Sequence, residues 1–593
     1  MRRSSVAVLA AATLPAALAV ASLPPAAQAA PRATEKVATA KGTGGAVATV
    51  DADATRVGLE VLRKGGNAVD AAVAAAATLG VTEPYSAGIG GGGFFVYHDA
   101  ASGEVHTIDG RETAPAAMGP GSFVENGDPI PFAEAVTSGL SVGVPGTPLT
   151  WQEALGRWGS ISLAEALRPA TQVASRGFVV DQTFHDQTAA NADRFGDFTS
   201  TAELFLPGGD PPPVGSVFRN LDLAHTYRLL GREGLGVLYG GRLGGEVVAT
   251  VQDPPVVQDP NRVVRSGLME LSDLRAYRAP LREPTFSSYR GLDLYGMSVP
   301  SSGGIAVGET LNILEGYDLG SLDRTTALHA WFEASALAFA DRNRYVGDVP
   351  GVPVDELLSQ EFADERRCEI DLDAAAGKPV PPGVPDGAYA GCGTAVPVGA
   401  GVAAGGSTTH LSTADRWGNV VSYTLTIEQT GGSGIVVPGR GFLLNNELTD
   451  FNFTPTHPDD PNLPGPGKRP RSSMSPTIVL DDGQPLLAVG SPGGATIITT
   501  VEQVLLNRID FGMTLPEAVA APRASQRNVV TTNAEPLFVE KYGAALSDRG
   551  HSLVTTAEIG AVAAIEFLPD GRLLAAAEPV RRGGGSAGVV RPG

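Results

Sequence analysis

Residues 370–406 are dominated by Pro, Gly and Ala and carry no sustained periodicity, yet at Gly405-Gly406-Ser407-Thr408-Thr409-His410 the pattern turns at once into that of a strand. A loose connection with regular segments on both sides demands either two separate cores or one core built through the break. After the break, strand patterns occupy residues 408–414, 420–428 and a stretch near 476–480, followed by Leu486-Leu487-Ala488-Val489 and a helix over Ala495–Arg508. Before it, Asn67 caps a predicted helix over Ala68–Leu79 that is apolar all round and therefore buried. Phe94–Tyr97 and Val105–Ile108 read as strands. Residues 150–345 are mostly helical in pattern, most clearly Leu163–Ala174 and Thr326–Arg344, and residues 30–44 read as a short linker. Strand pairs flanked by helices on both sides of the break predict one layered α/β core spanning it.

The 593 residues, 43% apolar and 18% charged, are globular in composition, with no repeat at solenoid periods. A net charge of -21 argues against nucleic acid or an anionic membrane as partner, since both require a basic surface. Arg2 and Arg3, an apolar stretch from Val6 to Leu23 and the small-x-small site Ala27-Gln28-Ala29 form the pattern of a bacterial-type export signal over residues 1–29. The stretch is Ala-rich and broken by Pro15, Pro24 and Pro25, which weighs against a retained membrane span. The expected destination is secreted or periplasmic. The only cysteines, Cys368 and Cys392, are compatible with a disulfide in an exported chain. Zinc-ligand spacings are absent, and neither a metal nor an organic cofactor is expected.

Three segments carry chemistry. A threonine where a Gly-Gly linker enters a strand can attack its own preceding carbonyl, shift the acyl group to oxygen and, after hydrolysis, become a new N-terminus. The freed α-amine, with a pKa near ~8, then serves as general base for the hydroxyl. Alone, Thr408 reads first as an ordinary strand residue, since threonine is common in strands. The next strand alternates: Val421, Tyr423, Leu425 and Ile427 form an apolar face, and Ser422, Thr424, Thr426 and Glu428 a polar one. Such a row either faces solvent or must be paired throughout. Gly490-Ser491-Pro492-Gly493-Gly494 opens a helix without an acidic first turn, so its free N–H groups either receive developing negative charge or form a plain helix entry. Gly88–Gly93 formally matches a dinucleotide fingerprint, but it follows a helix and leads into a strand, the reverse of what that motif requires.

Taken in order, Gly65-Gly66-Asn67-Ala68-Val69-Asp70-Ala71-Ala72, Gly90-Gly91-Gly92-Gly93-Phe94, Asp109-Gly110-Arg111-Glu112, Pro300-Ser301-Ser302-Gly303-Gly304, Ala340-Asp341-Arg342, Thr408-Thr409-His410, Asn445-Asn446-Glu447-Leu448-Thr449-Asp450-Phe451, Ser472-Ser473-Met474-Ser475-Pro476-Thr477 and Gly490–Gly494 span nearly all of the mature chain. In these segments the chain resembles the gamma-glutamyltransferases (gamma-glutamyltranspeptidases), which are N-terminal-nucleophile hydrolases. The resemblance implies a four-layer αββα sandwich built by a large subunit, residues 30–407, and a small catalytic subunit, residues 408–593, from one precursor cut between Ser407 and Thr408. It implies Thr408 as nucleophile, Thr426 as the threonine that orients it, and Gly493 and Gly494 as the oxyanion-hole glycines. Arg111, Ser472 and Ser473 match the residues that hold a substrate α-carboxylate, and Glu447 and Asp450 those that hold its α-ammonium. Glu428 stands where many members have asparagine in the ammonium pocket. The loop from Phe451 to Lys468 is short for an active-site lid and lacks its tyrosine, as in the lid-less Bacillus-type branch. The implied activity is transfer of a gamma-glutamyl group from glutathione and related amides to water or amino acids. A glutaryl (cephalosporin) acylase and a gamma-polyglutamate-degrading relative are the alternatives, and a non-catalytic amino-acid-binding protein a remote one.

Overall fold

The computed structural model describes residues 33–389 and 407–593, with a few isolated positions near the N-terminus. The expected signal cleavage site, residues 390–406 of the Pro/Gly/Ala-rich stretch and Cys392 lie outside the described residues. None of the described helices is long and apolar enough to cross a membrane.

Residues 30–44, read above as a linker, include the start of the strand that organises the molecule, Thr39–Thr49. Thr39–Gly42 pairs with Leu573–Ala577, whereas Gly45–Ala48 pairs with Thr408–Asp415. Between these halves Gly44 and Gly45 adopt φ of 85° and 127°, the left-handed region that glycine enters without strain, and the register with Ser586–Pro592 shifts there. The bend escaped sequence reading because the Gly-rich run that makes it looks like a linker. It folds a 13-stranded hydrogen-bonded sheet back on itself. On one side run Thr408–Asp415, Val420–Thr426, Gly92–Asp99, Glu104–Gly110 and Leu281–Arg282; on the other run Leu573–Ala577, Ala563–Phe567, Gln484–Gly490, Thr477–Asp481, Leu292–Gly296 and Thr285–Tyr289. The last two strands form a hairpin inside the stretch read as mostly helical.

Side-chain alternation sorts the layers. Val421, Tyr423 and Leu425 pack outward against the buried helix Ala68–Thr82, whose Asn67 cap forms a reciprocal pair with Asp70. Val479, Leu487 and Val489 pack outward on the opposite face against helices Gly303–Glu315, Arg324–Tyr345 and Thr496–Ile509. Val96, Ala414, Val420, Ile478, Ala488 and Ile565 meet between the two sheets. Helix, sheet, sheet and helix thus stack as an αββα sandwich.

The polar row of Val420–Thr426 faces this inner layer, not solvent. Its groups are buried and paired: the Ser422 hydroxyl donates to the Val489 carbonyl of the facing sheet at 3.1 Å, and Thr424 Oγ1 lies 2.8 Å from His410 Nδ1. The glycine run holds no nucleotide-type loop; it is a close-approach surface. A Cβ on Gly91 would lie 2.0 Å from the Thr426 carbonyl oxygen.

Gly91→Ala is therefore expected to destabilise the protein by about 2–3 kcal/mol through overpacking against backbone. Gly156→Ala, at an exposed position of helix Thr147–Trp158 with open space at its Cα, is expected to be neutral or stabilising by up to about 1 kcal/mol. Urea unfolding midpoints of the two variants check the contrast.

Candidate active site

Antiparallel pairing sets Thr408 directly opposite Thr426, and Thr426 opposite Gly92. With both threonines buried, the Thr408 hydroxyl donates to Thr426 Oγ1 at 3.3 Å. The Thr426 hydroxyl in turn donates to the Ser407 carbonyl at 2.7 Å, and the Glu428 N–H donates to Thr426 Oγ1 at 2.8 Å. Glu428 itself lies beyond the strand, at φ 76°, not on its polar face as the alternation suggested. The Ser407–Thr408 junction is held from the other side by Arg582, which donates to the Thr408 carbonyl at 2.6 Å, and by Ser86, whose hydroxyl lies 2.7 Å from that of Ser407.

Thr408 and Thr426 open into a cavity of about 560 Å³ that is also lined by Arg111, Glu428, Glu447, Asp450, Ser472, Ser473 and Gly494. Gly493 is not among the lining residues; it sits behind Gly494 at φ 141°, where a Cβ would lie 2.5 Å from Thr496 Oγ1. Gly494, at φ 58°, leads into the helix Thr496–Ile509. Asn452, Phe453 and Thr456 of the short 451–468 loop complete part of the wall.

At one end of the cavity Arg111 is fully buried. It pairs with Glu447 and, at 2.5 Å, with Asp450, while its Nε donates to the Pro470 carbonyl at 3.0 Å. Strand Glu104–Gly110 delivers it, and the turn Glu447–Asp450 delivers both acids. Burial works against the guanidinium charge, but the two carboxylates outweigh it and hold the arginine firmly protonated. Burial pushes Glu447 up to about 7 despite the opposing pull of Arg111, with Asp450 adding to the rise. Burial, then Asp450 and Glu447, push Glu428 well above the carboxylate range; Asn446 donates to it. Burial and Glu447 do the same to Glu112. One guanidinium thus faces four acids: a built deficit of positive charge at a place where a cation can enter.

Ser472 and Ser473 lie on another wall. The Ser472 Oγ accepts from the Met474 N–H at 3.1 Å, and the Ser473 Oγ accepts from Arg342 at 2.8 Å. Sequence reading quoted Arg342 only as part of a motif and passed over Arg471 and Arg527, which also line the cavity. An arginine on a helix or in a loop carries no local signal of facing a cavity. Cys368, at the C-terminal cap of helix Gln360–Arg367, is disulfide-bonded; Cys392 lies outside the described residues. Away from the cavity, His329, Glu333 and His551 converge in a set that has metal-ligand composition. It is internally paired, His329 Nδ1 to His551 Nε2 at 2.7 Å and Glu333 to Lys378 at 2.7 Å.

A threonine at the head of a strand in an αββα sandwich, facing a cavity lined by both acids and arginines, fits the class of the N-terminal-nucleophile hydrolases. The chain belongs to the gamma-glutamyltranspeptidase family, whose model matches residues 54–588. It is 39% identical over 537 residues to a glutathione hydrolase proenzyme of Bacillus subtilis (strain 168), covering 89% of this chain and 88% of that protein. It is 37% identical over 551 residues to the acylase ACY 1 proenzyme of Pseudomonas sp. (strain SE83), covering 91% and 92%. Among solved structures it resembles a cephalosporin acylase from Bacillus halodurans, with a TM-score of 0.80 at 30% identity over 96% of this chain and 99% of that one.

Arg111→Met leaves the buried acids without their cation, so the variant is expected to lose about 3–5 kcal/mol at pH 8. Without the arginine the acids' folded pKa values rise further above their unfolded values. The deficit against the intact protein is therefore small at low pH, where Glu447 is protonated in both, and grows as pH rises above about 7, where Glu447 ionises in the intact protein beside Arg111. Urea unfolding at pH 5 and pH 8 should show a much larger deficit at pH 8.

Proposed function

We propose that the protein is a self-processing gamma-glutamyl hydrolase and transferase in which Thr408 is the nucleophile. The observation that carries this reading is the relay at the junction: the Thr426 hydroxyl donates to the Ser407 carbonyl while accepting from Thr408. Donation to the carbonyl oxygen polarises the carbon that the Thr408 oxygen attacks. The Ser407–Thr408 amide then becomes an ester on Thr408 Oγ1, with the amine of Thr408 as leaving group. Water hydrolyses the ester, leaving a carboxylate on Ser407 and a free amine on Thr408. That amine accepts the Thr408 hydroxyl proton in each later turnover. Residues up to 407 and from 408 onward then form the two subunits of one enzyme.

In turnover, Thr408 attacks the gamma-carbonyl of the donor. The N–H groups around Gly493 and Gly494 stabilise the oxyanion, and the amine leaves protonated. Water or an amine then takes the acyl group from Thr408. The acid-rich end of the cavity suits the donor's α-ammonium, and Arg111 with Ser472 and Ser473 suits its α-carboxylate. Holding both fixes the gamma-carbonyl at Thr408, which is catalysis by positioning. The short 451–468 loop, without a tyrosine, fits the lid-less Bacillus-type branch and an open site. The N-terminal signal pattern supports export, and the glutathione hydrolase proenzyme name of the Bacillus subtilis relative supports processing and glutathione-type donors. The acylase relatives make a glutaryl donor the competing reading.

Thr408→Ala is expected to remain one chain without activity, whereas the unmodified protein gives two fragments, the smaller beginning at Thr408. Gel mobility and N-terminal sequencing check this, and a fragment beginning elsewhere excludes Thr408. The substrate class is tested with a gamma-glutamyl amide and the matching glutaryl amide, which lacks both the α-amine and the α-carboxylate. The glutamyl donor should be favoured, and Asp450→Ala should cut that preference by about 10- to 150-fold, the worth of a charge-assisted contact. A wild-type preference for the glutaryl amide, unmoved by Asp450→Ala, gives the site to the acylase reading.

A further inference from the structure

The cavity carries a second electrostatic feature that binding of one zwitterion does not use. Arg342, Arg471 and Arg527 line it, and among the described residues none of the three has an ion-pair partner. Arg342 donates to Ser302, Asn343 and Ser473, and Arg471 to three backbone carbonyls. Arg527 differs: its Nε is buried without any hydrogen-bond partner, although a guanidinium offers five donors. An unsatisfied buried donor on a cation is costly and in a native site implies a missing acceptor. Burial lowers the proton affinity of all three arginines, and Arg471 and Arg527 lower that of Arg342 further by repulsion. Asp450 opposes this at Arg342, and Asp460 and Asp450 oppose it at Arg471, whereas burial alone acts on Arg527, the uncompensated cation of the three.

Arg527 is placed by elements other than those that carry Arg111, Glu447 and Asp450. The Ser525 hydroxyl lies 2.7 Å from that of Thr499, on the helix that Gly494 opens, and Asn528 clamps Val380 at both its N–H and its carbonyl, at 2.7 and 2.8 Å. Ala495, Ile497, Pro379 and Val380 also line the cavity. With the donor's own α-carboxylate and α-ammonium assigned to Arg111, Ser472, Ser473, Glu447 and Asp450, Arg527, which is bonded to none of them, is left for the part of a donor beyond the scissile amide.

We propose that Arg527 forms a second anion subsite that receives a carboxylate carried by the amine half of the donor. This rests on the gamma-glutamyl reading above and deepens it: the favoured donors are gamma-glutamyl peptides whose leaving amine bears a free carboxylate, rather than neutral gamma-glutamyl amides. An accepting amine enters where the leaving amine departs, so the same subsite selects acceptors that carry a carboxylate.

The test compares kcat/KM on gamma-glutamylglycine and gamma-glutamylglycinamide for the wild type, Arg527→Gln and Arg527→Lys, with denaturant midpoints to establish that each variant folds. The wild type should favour the free acid by about 10-fold or more, Arg527→Gln should bring the ratio to within about 2-fold, and Arg527→Lys should fall between, since it keeps the charge without the fork. With one fixed donor, the preference for glycylglycine over glycylglycinamide as acceptor should shrink in parallel. A ratio unchanged in Arg527→Gln, or an equal fall on acid and amide, overturns the subsite while leaving the gamma-glutamyl assignment standing. A wild type that turns over neither donor instead removes the assignment on which the subsite rests.

Discussion

The pairing of Thr408 with Thr426 across two antiparallel strands is the constraint on which the site depends. Side chains alternate with a period of two, so a slip of one residue turns every member of a strand to the opposite face. Slippage of Val420–Thr426 would carry Leu425 into the cavity and Thr426 into the helix-side core that Val421, Tyr423 and Leu425 now share with Ala68–Thr82. The apolar face therefore locks the polar one. Gly91 contributes from outside the pair: its bare Cα permits an approach to the Thr426 carbonyl that any side chain forbids. The inner layer of the sandwich adds hydroxyl-to-carbonyl bonds across the two sheets, such as Ser422 to Val489, which tie the register of one sheet to the position of the other.

Electrostatics divides the cavity. Around Arg111 there are more acids than cations, and burial with mutual repulsion raises the carboxyl groups. Around Arg342 there are more cations than acids. Neither arrangement is favourable for the empty protein, and each is relieved by an opposite charge brought in from outside. Violations of ordinary pairing of this kind concentrate where a chain must recognise something. Here both border one cavity into which Thr408 and Thr426 open, and they meet at Asp450, whose charge acts on Arg342 and Arg471 as well as on Glu447.

Much of this was legible in the sequence where periodicity is strong. The helix Ala68–Thr82, the alternating strand Val420–Thr426 and the helix Thr496–Ile509 lie within a few residues of their predicted bounds, because each buries a continuous face. Nine of the residues singled out for the site converge on one cavity. The failures have physical causes. Thr39–Thr49 hides because the glycines that let it change sheets are the residues that mark a linker. The polar row of Val420–Thr426 could equally have faced water, since its partners, His410 and the Val489 carbonyl, come from other strands. Arg527 and Arg582 act through long-range placement that no local pattern records.

The strand Thr39–Thr49 lies ahead of the expected cut, yet it hydrogen-bonds to Thr408–Asp415, Leu573–Ala577 and Ser586–Pro592, all of which lie after it. It is an interior rung of a ladder whose adjacent rungs belong to the other fragment. Cleavage before Thr408 would thus sever the backbone without creating a separable interface. Pulling such fragments apart would mean stripping a central strand from three neighbours and opening both sheets. Neither stretch of sequence owns a finished sandwich, so a complete sandwich can arise only by the two folding together. Under the proposed processing, a single-chain precursor would serve as a built-in template for assembling two chains.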